Sequence, residues 1–434
     1  MPENTNIMLP GSLDIFAKAP ENLSHESSYI HSYDPVNAIS THTPIIFRVP
    51  ATEEYVFLNE TTLYLRVKII KSNGEDMVAG DDAKVGPTNL LFGSIFKNAK
   101  LTLGSRGKEV TPSGENYPYK AYFDTLFGSK VDSGQTFPLT GWSPDSKKDY
   151  TACDNWKTLA EEYKRSNVVE LVGRPYIDFL YQKKELINLV DMQFAFYPNR
   201  HEFCLMQAGN TNYKYEIMEA KLSLRKAKLS PVFQDAHNQA ISTGNAKYDF
   251  QISGVKILQI PAGQNSFVRS DIFGSEIPNK TIITFVRNTA YSGTKELSPY
   301  WFEHNDVKSI QFFKNGVPCP HIRDIEMDFT TPNNKRVLET YHTLLDVTDR
   351  GVSTEDGIIY GPEMLTNGRF FKGFDFSNLK ANSEFVTQNQ YGTLDLHVKF
   401  RTPLPNEIEV LIYSFFDTRV EVTKGREILF TFNQ

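Results

Sequence analysis

Few residues in this chain combine the type and the spacing that chemistry requires. Cys319 and His321 lie two apart, so on a strand both could face one side and offer a sulfur and an imidazole to a metal ion. Zinc needs three or four protein ligands, and no second pair at a suitable spacing accompanies these two. The plainer expectation is a buried thiol beside a surface histidine. Gly104 to Glu109 (GSRGKE) carries Gly-Lys, but it lacks the longer glycine spacing and the Ser or Thr of a phosphate-binding loop, and a β-turn is expected there. Asp81 and Asp82 sit in MVAGDDAKVG and read as solvated carboxylates. Trp142, Trp156 and Trp301 could line a sugar groove, with core packing as their simpler role. The other histidines, at 25, 31, 42, 201, 237, 304, 342 and 397, are scattered singly, so none suggests a triad or relay. No catalytic, cofactor-binding or metal-ligating residue is assigned, no cofactor is expected, and the chain is not expected to be an enzyme.

With no site to position, the elements themselves become informative. Thr88 to Gly128 combines a short apolar segment, an alternating strand (Leu101, Leu103), a turn at Gly107 and a helix. Tyr119, Tyr122, Phe123, Leu126 and Phe127 fall at helical spacing and form one stripe, expected to pack against its own domain. The pattern returns just under half a chain later. Ile310 and Phe312 echo Leu101 and Leu103, Gly316 echoes Gly107, Cys319 echoes Val110, and Thr343 and Leu344 echo Thr125 and Leu126. A duplicated domain follows.

A chain of 434 residues suits two domains of roughly 200 residues each. With 31 Phe and 21 Tyr the composition leans toward β-structure, and the 23 Pro and 26 Gly are spread as punctuation between short strands. The net charge of −6 argues against a free-standing nucleic-acid binder. Three separated cysteines argue against a disulfide framework. No signal-peptide pattern and no apolar run long enough to span a membrane is seen, so secretion is disfavoured and the sequons at Asn22, Asn59 and Asn279 are expected to be idle.

Residues 1–40 are polar, proline-interrupted and acidic, and read as an extended N-terminal arm. Strands are expected at Pro44 to Val49, Thr62 to Ile70, Pro175 to Leu180, Asp191 to Tyr197, Glu202 to Met206 and Tyr215 to Leu229, closing a first domain over 41–229. Within the last strand, Lys221 to Leu229 is basic and alternating and reads as a charged edge, with contact to nucleic acid or a neighbouring subunit as the lesser role. A connector over 230–246 carries a short helix after Pro231. A second domain over 247–434 ends with strands at Gly392 to Phe400, Glu407 to Phe416 and Arg426 to Phe432. The fold class is all-β with small helical insertions: two tandem eight-stranded jelly-roll β-sandwiches.

The ordered succession TNLLFGSIFKNAKLTLG, NYPYKAYFDTLF, LRKAKLSPVFQDAH, GNAKYDFQISGVKILQIPAG, GSEIPNKTIITFVRNTAYSG, SPYWFEH, NGVPCP and DTRVEVTKGREI resembles the double jelly-roll major capsid proteins of Polinton (Maverick) elements and adintoviruses. The resemblance runs from about residue 40 to the C-terminus. It implies a structural protein of the virion that forms homotrimers, assembles into pseudo-hexagonal capsomers, and builds an icosahedral shell around double-stranded DNA. The implied partners are other copies of itself and a penton or minor capsid protein, with the DNA touched only indirectly. The arm is expected to tie neighbouring capsomers together. Intra-trimer contacts are expected from the insertion Lys130 to Arg165 and the loops Thr289 to Pro299 and Asp349 to Gly368. The alternative is a carbohydrate-binding or carbohydrate-processing β-sandwich, which needs exposed tryptophans along a groove together with a carboxylate pair or a metal.

Overall fold

A computed structural model describes residues 23–82, 84–112, 114, 116–128, 137–143, 148, 152–208, 212–330, 336–350, 360–377 and 390–430. Of the twenty-one strands among the described residues, sixteen build the frame. The first eight are β1 (His25–Tyr33), β2 (Ile45–Val49), β3 (Tyr55–Lys71), β4 (Phe96–Leu103), β5 (Lys108–Glu109), β6 (Val169–Gly173), β7 (Met192–Pro198) and β8 (Tyr213–Leu229). The second eight are β9 (Ala246–Ile260), β10 (Ser266–Arg269), β11 (Lys280–Arg287), β12 (Val307–Lys314), β13 (Val317–Cys319), β14 (Lys372–Asp375), β15 (Leu394–Phe400) and β16 (Ile408–Val422). Period-two alternation sets their faces. In β3, Leu63, Leu65, Val67 and Ile69 are all buried and the residues between them are not.

In the first half the sheets run β1-β8-β3-β6 and β2-β7-β4-β5; in the second they run β9-β16-β11-β14 and β10-β15-β12-β13. Adding eight to each first-half strand reproduces the second half. These are two jelly-rolls of one topology, and the duplication expected from the echo is present at the level of hydrogen-bonded strand order. Among the described residues the four longer helices that decorate them are α1 (Tyr117–Gly128), α2 (Asp154–Glu162), α3 (Pro231–Thr243) and α4 (Leu338–Val347). Helix α1 lies between β5 and β6, and α4 lies between β13 and β14, so the two helices occupy equivalent connections.

The hairpins preceding those helices differ in one respect. Lys314 pairs with Val317 across Asn315 and Gly316, both at positive φ, which is a tight two-residue turn. In the first half Leu103 pairs with Lys108, leaving four residues, Gly104 to Gly107, in the turn. Val110 donates its backbone N–H to Leu101, whereas Cys319 sits opposite Phe312, so the echo slips by two residues across the turn.

Four expectations need correction. Residues 25–33, read as part of an arm, pair along β8 and form the edge strand of the first sandwich; residues 1–22 lie outside the described residues. That pairing moves the basic segment Lys221 to Leu229 off the edge, because β8 now lies between β1 and β3. Its half-buried charges pair locally instead, Lys221 with Glu219 and Arg225 with Glu60. The strand expected at Pro175 to Leu180 is a short 3-10 turn (Asp178–Tyr181), and the pairing with β3 is made upstream by β6. Phe179 and Leu180 are apolar because they are buried, and Phe179 packs on Tyr248 and Phe250 of β9. His201–Cys204 is a helical turn, so the strand expected from Glu202 begins only at Leu205.

Candidate functional site

Helix α1 forms because its aromatic residues recur every three to four positions, and it ends at Gly128. Its stripe is buried, but much of its packing crosses from the first sandwich to the second. The Tyr122 ring stacks on Tyr300 with centroids 4.3 Å apart and planes 7° from parallel. Tyr119 meets Tyr291, Tyr300 and Phe302. Phe123 meets Phe302, Phe371 and Tyr413, and Phe127 meets Phe371. All of those partners belong to the second half, so the expectation that this stripe packs only against its own sandwich is overturned. One apolar cluster consequently runs through both jelly-rolls. Edge-on and offset aromatic pairs of this kind contribute roughly 0.5–1.5 kcal/mol each beyond their buried area.

A buried ionic cluster lies beside the aromatic stripe. Lys120 is only 5% exposed, and its ammonium contacts Asp124 Oδ2 at 2.5 Å and Asp178 Oδ1 at 2.8 Å. The second sandwich completes it: Ser253 donates its backbone N–H to Asp178 Oδ2 at 2.9 Å and its hydroxyl to Asp178 Oδ1 at 3.0 Å, and the Tyr413 hydroxyl donates to Asp124. Burial opposes the charge on Lys120, yet the two carboxylates outweigh it and hold the ammonium well above its ordinary range. Burial pushes the Asp124 carboxyl up, against the pull of Lys120. Further along the seam Asn116 Nδ2 donates to Val255 O at 2.8 Å, and Ser94 Oγ shares a 2.6 Å hydrogen bond with the Tyr300 hydroxyl. Chemically this arrangement fixes one sandwich against the other; its charged groups are spent on one another.

The Thr289 to Pro299 loop also closes this seam within one chain. Tyr291 lies on Tyr119, Lys295 Nζ donates to Tyr213 O, and Gln207 donates its backbone N–H to Lys295 O. Of the insertion Lys130 to Arg165, residues 130–136, 144–147 and 149–151 lie outside the described residues, as do residues 351–359 of the loop Asp349 to Gly368. Helix α2 of that insertion packs through Trp156 and Ala160 onto Met206.

The chemistry-bearing residues do not converge. Cys319 and His321 are both half-buried, and the described residues hold no group of three or more His, Cys, Asp or Glu able to share a metal ion. Burial pushes the Cys319 thiol up and the His321 imidazole down. Asp81 is not solvated. It is buried and accepts hydrogen bonds from Val78 N–H and the Tyr213 hydroxyl, which hold its carboxyl below the usual range. Trp142 and Trp156 are buried, and the Trp156 indole donates to Pro87 O, so neither can line a sugar groove. What sequence reasoning missed is the seam cluster. A Lys-Asp pair four apart inside a buried helical stripe was its only local signal; Asp178 is distant in sequence and only the fold brings it in.

No protein-family model matches the chain. An uncharacterized protein of Caenorhabditis elegans, F54H12.2, is 23% identical over 389 residues, covering 84% of this chain and 88% of its own length. Among solved structures, a chain of the Sputnik virophage superposes with a TM-score of 0.59 at 11% identity, covering 99% of this chain and 93% of its own. The mavirus major capsid protein gives 0.55 at 10% identity, covering 99% and 96%. PBCV-1 VP54, fitted into a Sputnik reconstruction, gives 0.59 at 10% identity, covering 96% and 100%. The fold is therefore the double jelly-roll that these capsid structures share, matched over essentially whole chains.

Proposed function

We propose that this protein is a major capsid protein whose work is self-association: three copies form a pseudo-hexagonal capsomer, and capsomers tile an icosahedral shell around double-stranded DNA. The observation that carries this reading is the pair of jelly-rolls with one strand order, welded by a buried seam into a single building block. A duplicated sandwich gives each chain two copies of one set of surfaces, and three such chains can present six sandwiches in a ring. Full-length likeness to a virophage chain and to the mavirus major capsid protein supports the same reading. So does a seam whose charged groups, Lys120, Asp124 and Asp178, pair with one another.

In this reading the first domain runs from β1 to β8, a connector carries α3, and the second domain begins at β9. The element is of the Maverick kind in this reading, and the protein resides in the virion with a penton protein at the vertices. Size-exclusion chromatography with light scattering tests the proposal directly. Three times the 49.4 kDa of one chain, with hexagonal outlines in negative stain, is the expected result. A monodisperse single chain at all concentrations would overturn it.

A further inference from the structure

The connector helix α3 is almost unsupported. Of its 13 residues only Ile241 is buried, and Val232 and Phe233 are 76% and 43% exposed. A helix of this length ordinarily hides one face. The residues placed to do so, Phe233, His237, Ala240 and Ile241, fall at i, i+4, i+7 and i+8, and all four line a groove of about 650 Å³. The groove lies where the chain leaves the first sandwich and enters the second, and His237 Nδ1 shares a 3.0 Å hydrogen bond with the Tyr55 hydroxyl of the first sandwich. Its character grades from apolar to charged. The inner wall is made by Tyr55, Ile187, Leu229 and Tyr248, each of them buried. The rim carries Lys183, Lys184 and Lys247, all exposed. Lys184 Nζ donates to Lys247 O at 2.9 Å, and the Lys183 ammonium has no partner among the described residues. Glu185 is the single acidic side chain among the described residues that line the groove, and His25 Nε2 already donates to its Oε1 at 2.8 Å.

We propose that this groove binds an amphipathic anion: an acyl chain lying between the Phe233 to Ile241 face and the inner wall, with a carboxylate or phosphate head among the rim lysines. The volume is of the size that holds one such ligand, and a few polar groups gathered at one end of an apolar pocket are what orient a ligand in it. Three ammonium groups against one engaged carboxylate favour an anionic head over a neutral or cationic one. Because those ammonium groups are at the rim, they stay hydrated and the head need not be buried with them. An acyl chain seated there covers Phe233 and Ala240 and gives α3 the packing it lacks, which braces the connection between the sandwiches. The site belongs to a single chain, so it stands whether or not the protein builds a shell.

Calorimetric titration of the full chain with dodecanoate and with dodecyl phosphate, each below its micelle concentration, tests this. Saturable binding of one molecule per chain is expected, with dodecanol and dodecyltrimethylammonium at least about tenfold weaker. The tighter of the two anions tells a free fatty acid from a phospholipid head, and either supports the proposal. Ala240→Trp fills the groove from an exposed position, so it is expected to weaken binding at least about tenfold while the melting temperature of the unliganded chain stays that of the parent. Lys183→Ala combined with Lys184→Ala is expected to weaken the anions about fivefold and leave dodecanol unchanged. Binding that Ala240→Trp leaves untouched, equal binding of all the probes, or no saturable binding overturns the proposal. The last is also the result if a second copy or the chain's own N-terminal residues fill the groove.

Discussion

Lys120 holds the polar part of the seam together, because it pairs with both Asp124 and Asp178. Replacing it with Met leaves two half-buried carboxylates without their cation, and the expected loss is up to about 3–5 kcal/mol in urea unfolding. Adding Asp124→Asn and Asp178→Asn should recover most of that loss; no recovery would mean that Lys120 acts through packing. Lys372 is a second test at this scale. It is almost fully buried, donates to Ile310 O at 3.1 Å, and burial pushes its ammonium down to about 8 from 10.5. The unfolded chain therefore holds a proton that the folded chain has released between those two values, so stability rises with pH across that window and the full cost is present below about 8. Lys372→Met is expected to be more stable than the parent at pH 7 by about 3 kcal/mol, with the gap closing toward pH 10.5. A gap that stayed constant with pH would refute the assignment.

At the scale of elements, α1 and α4 share a topological place but have different neighbours. The stripe on α1 was legible from its spacing, as was its burial. Its partner was not, because Tyr300, Phe302, Phe371 and Tyr413 come from distant parts of the second sandwich and nothing in local periodicity links them to Tyr119 or Phe123. Likewise the polar segment before residue 40 gave no sign of β1, since an edge strand exposed on both faces lacks the alternation by which strands are recognised. Helix α4 rests closely on β14 at Gly373, where an added Cβ would lie 2.5 Å from Thr343 O and 2.9 Å from Val347 Cγ2. Gly373→Ala should push α4 off its sandwich and lower stability by about 1–3 kcal/mol. An unchanged melting temperature would mean that the helix moves freely there.

At the scale of the molecule, the two jelly-rolls share one apolar cluster and should unfold together. A single calorimetric transition is expected for the full chain, and two well-separated transitions would show that the seam couples the halves weakly. The sequence by itself determined the β class, the duplication and the two helix-bearing connections. Each of these is written in local periodicity or in repetition at long range. Only the tertiary structure decided which faces of those elements meet. Stripe α1 reads identically whether it covers its own sandwich or the next one, and the difference is set by where the chain re-enters after the connector. That is why Lys120 is buried on α1 while Leu338, at the corresponding place on α4, is 68% exposed.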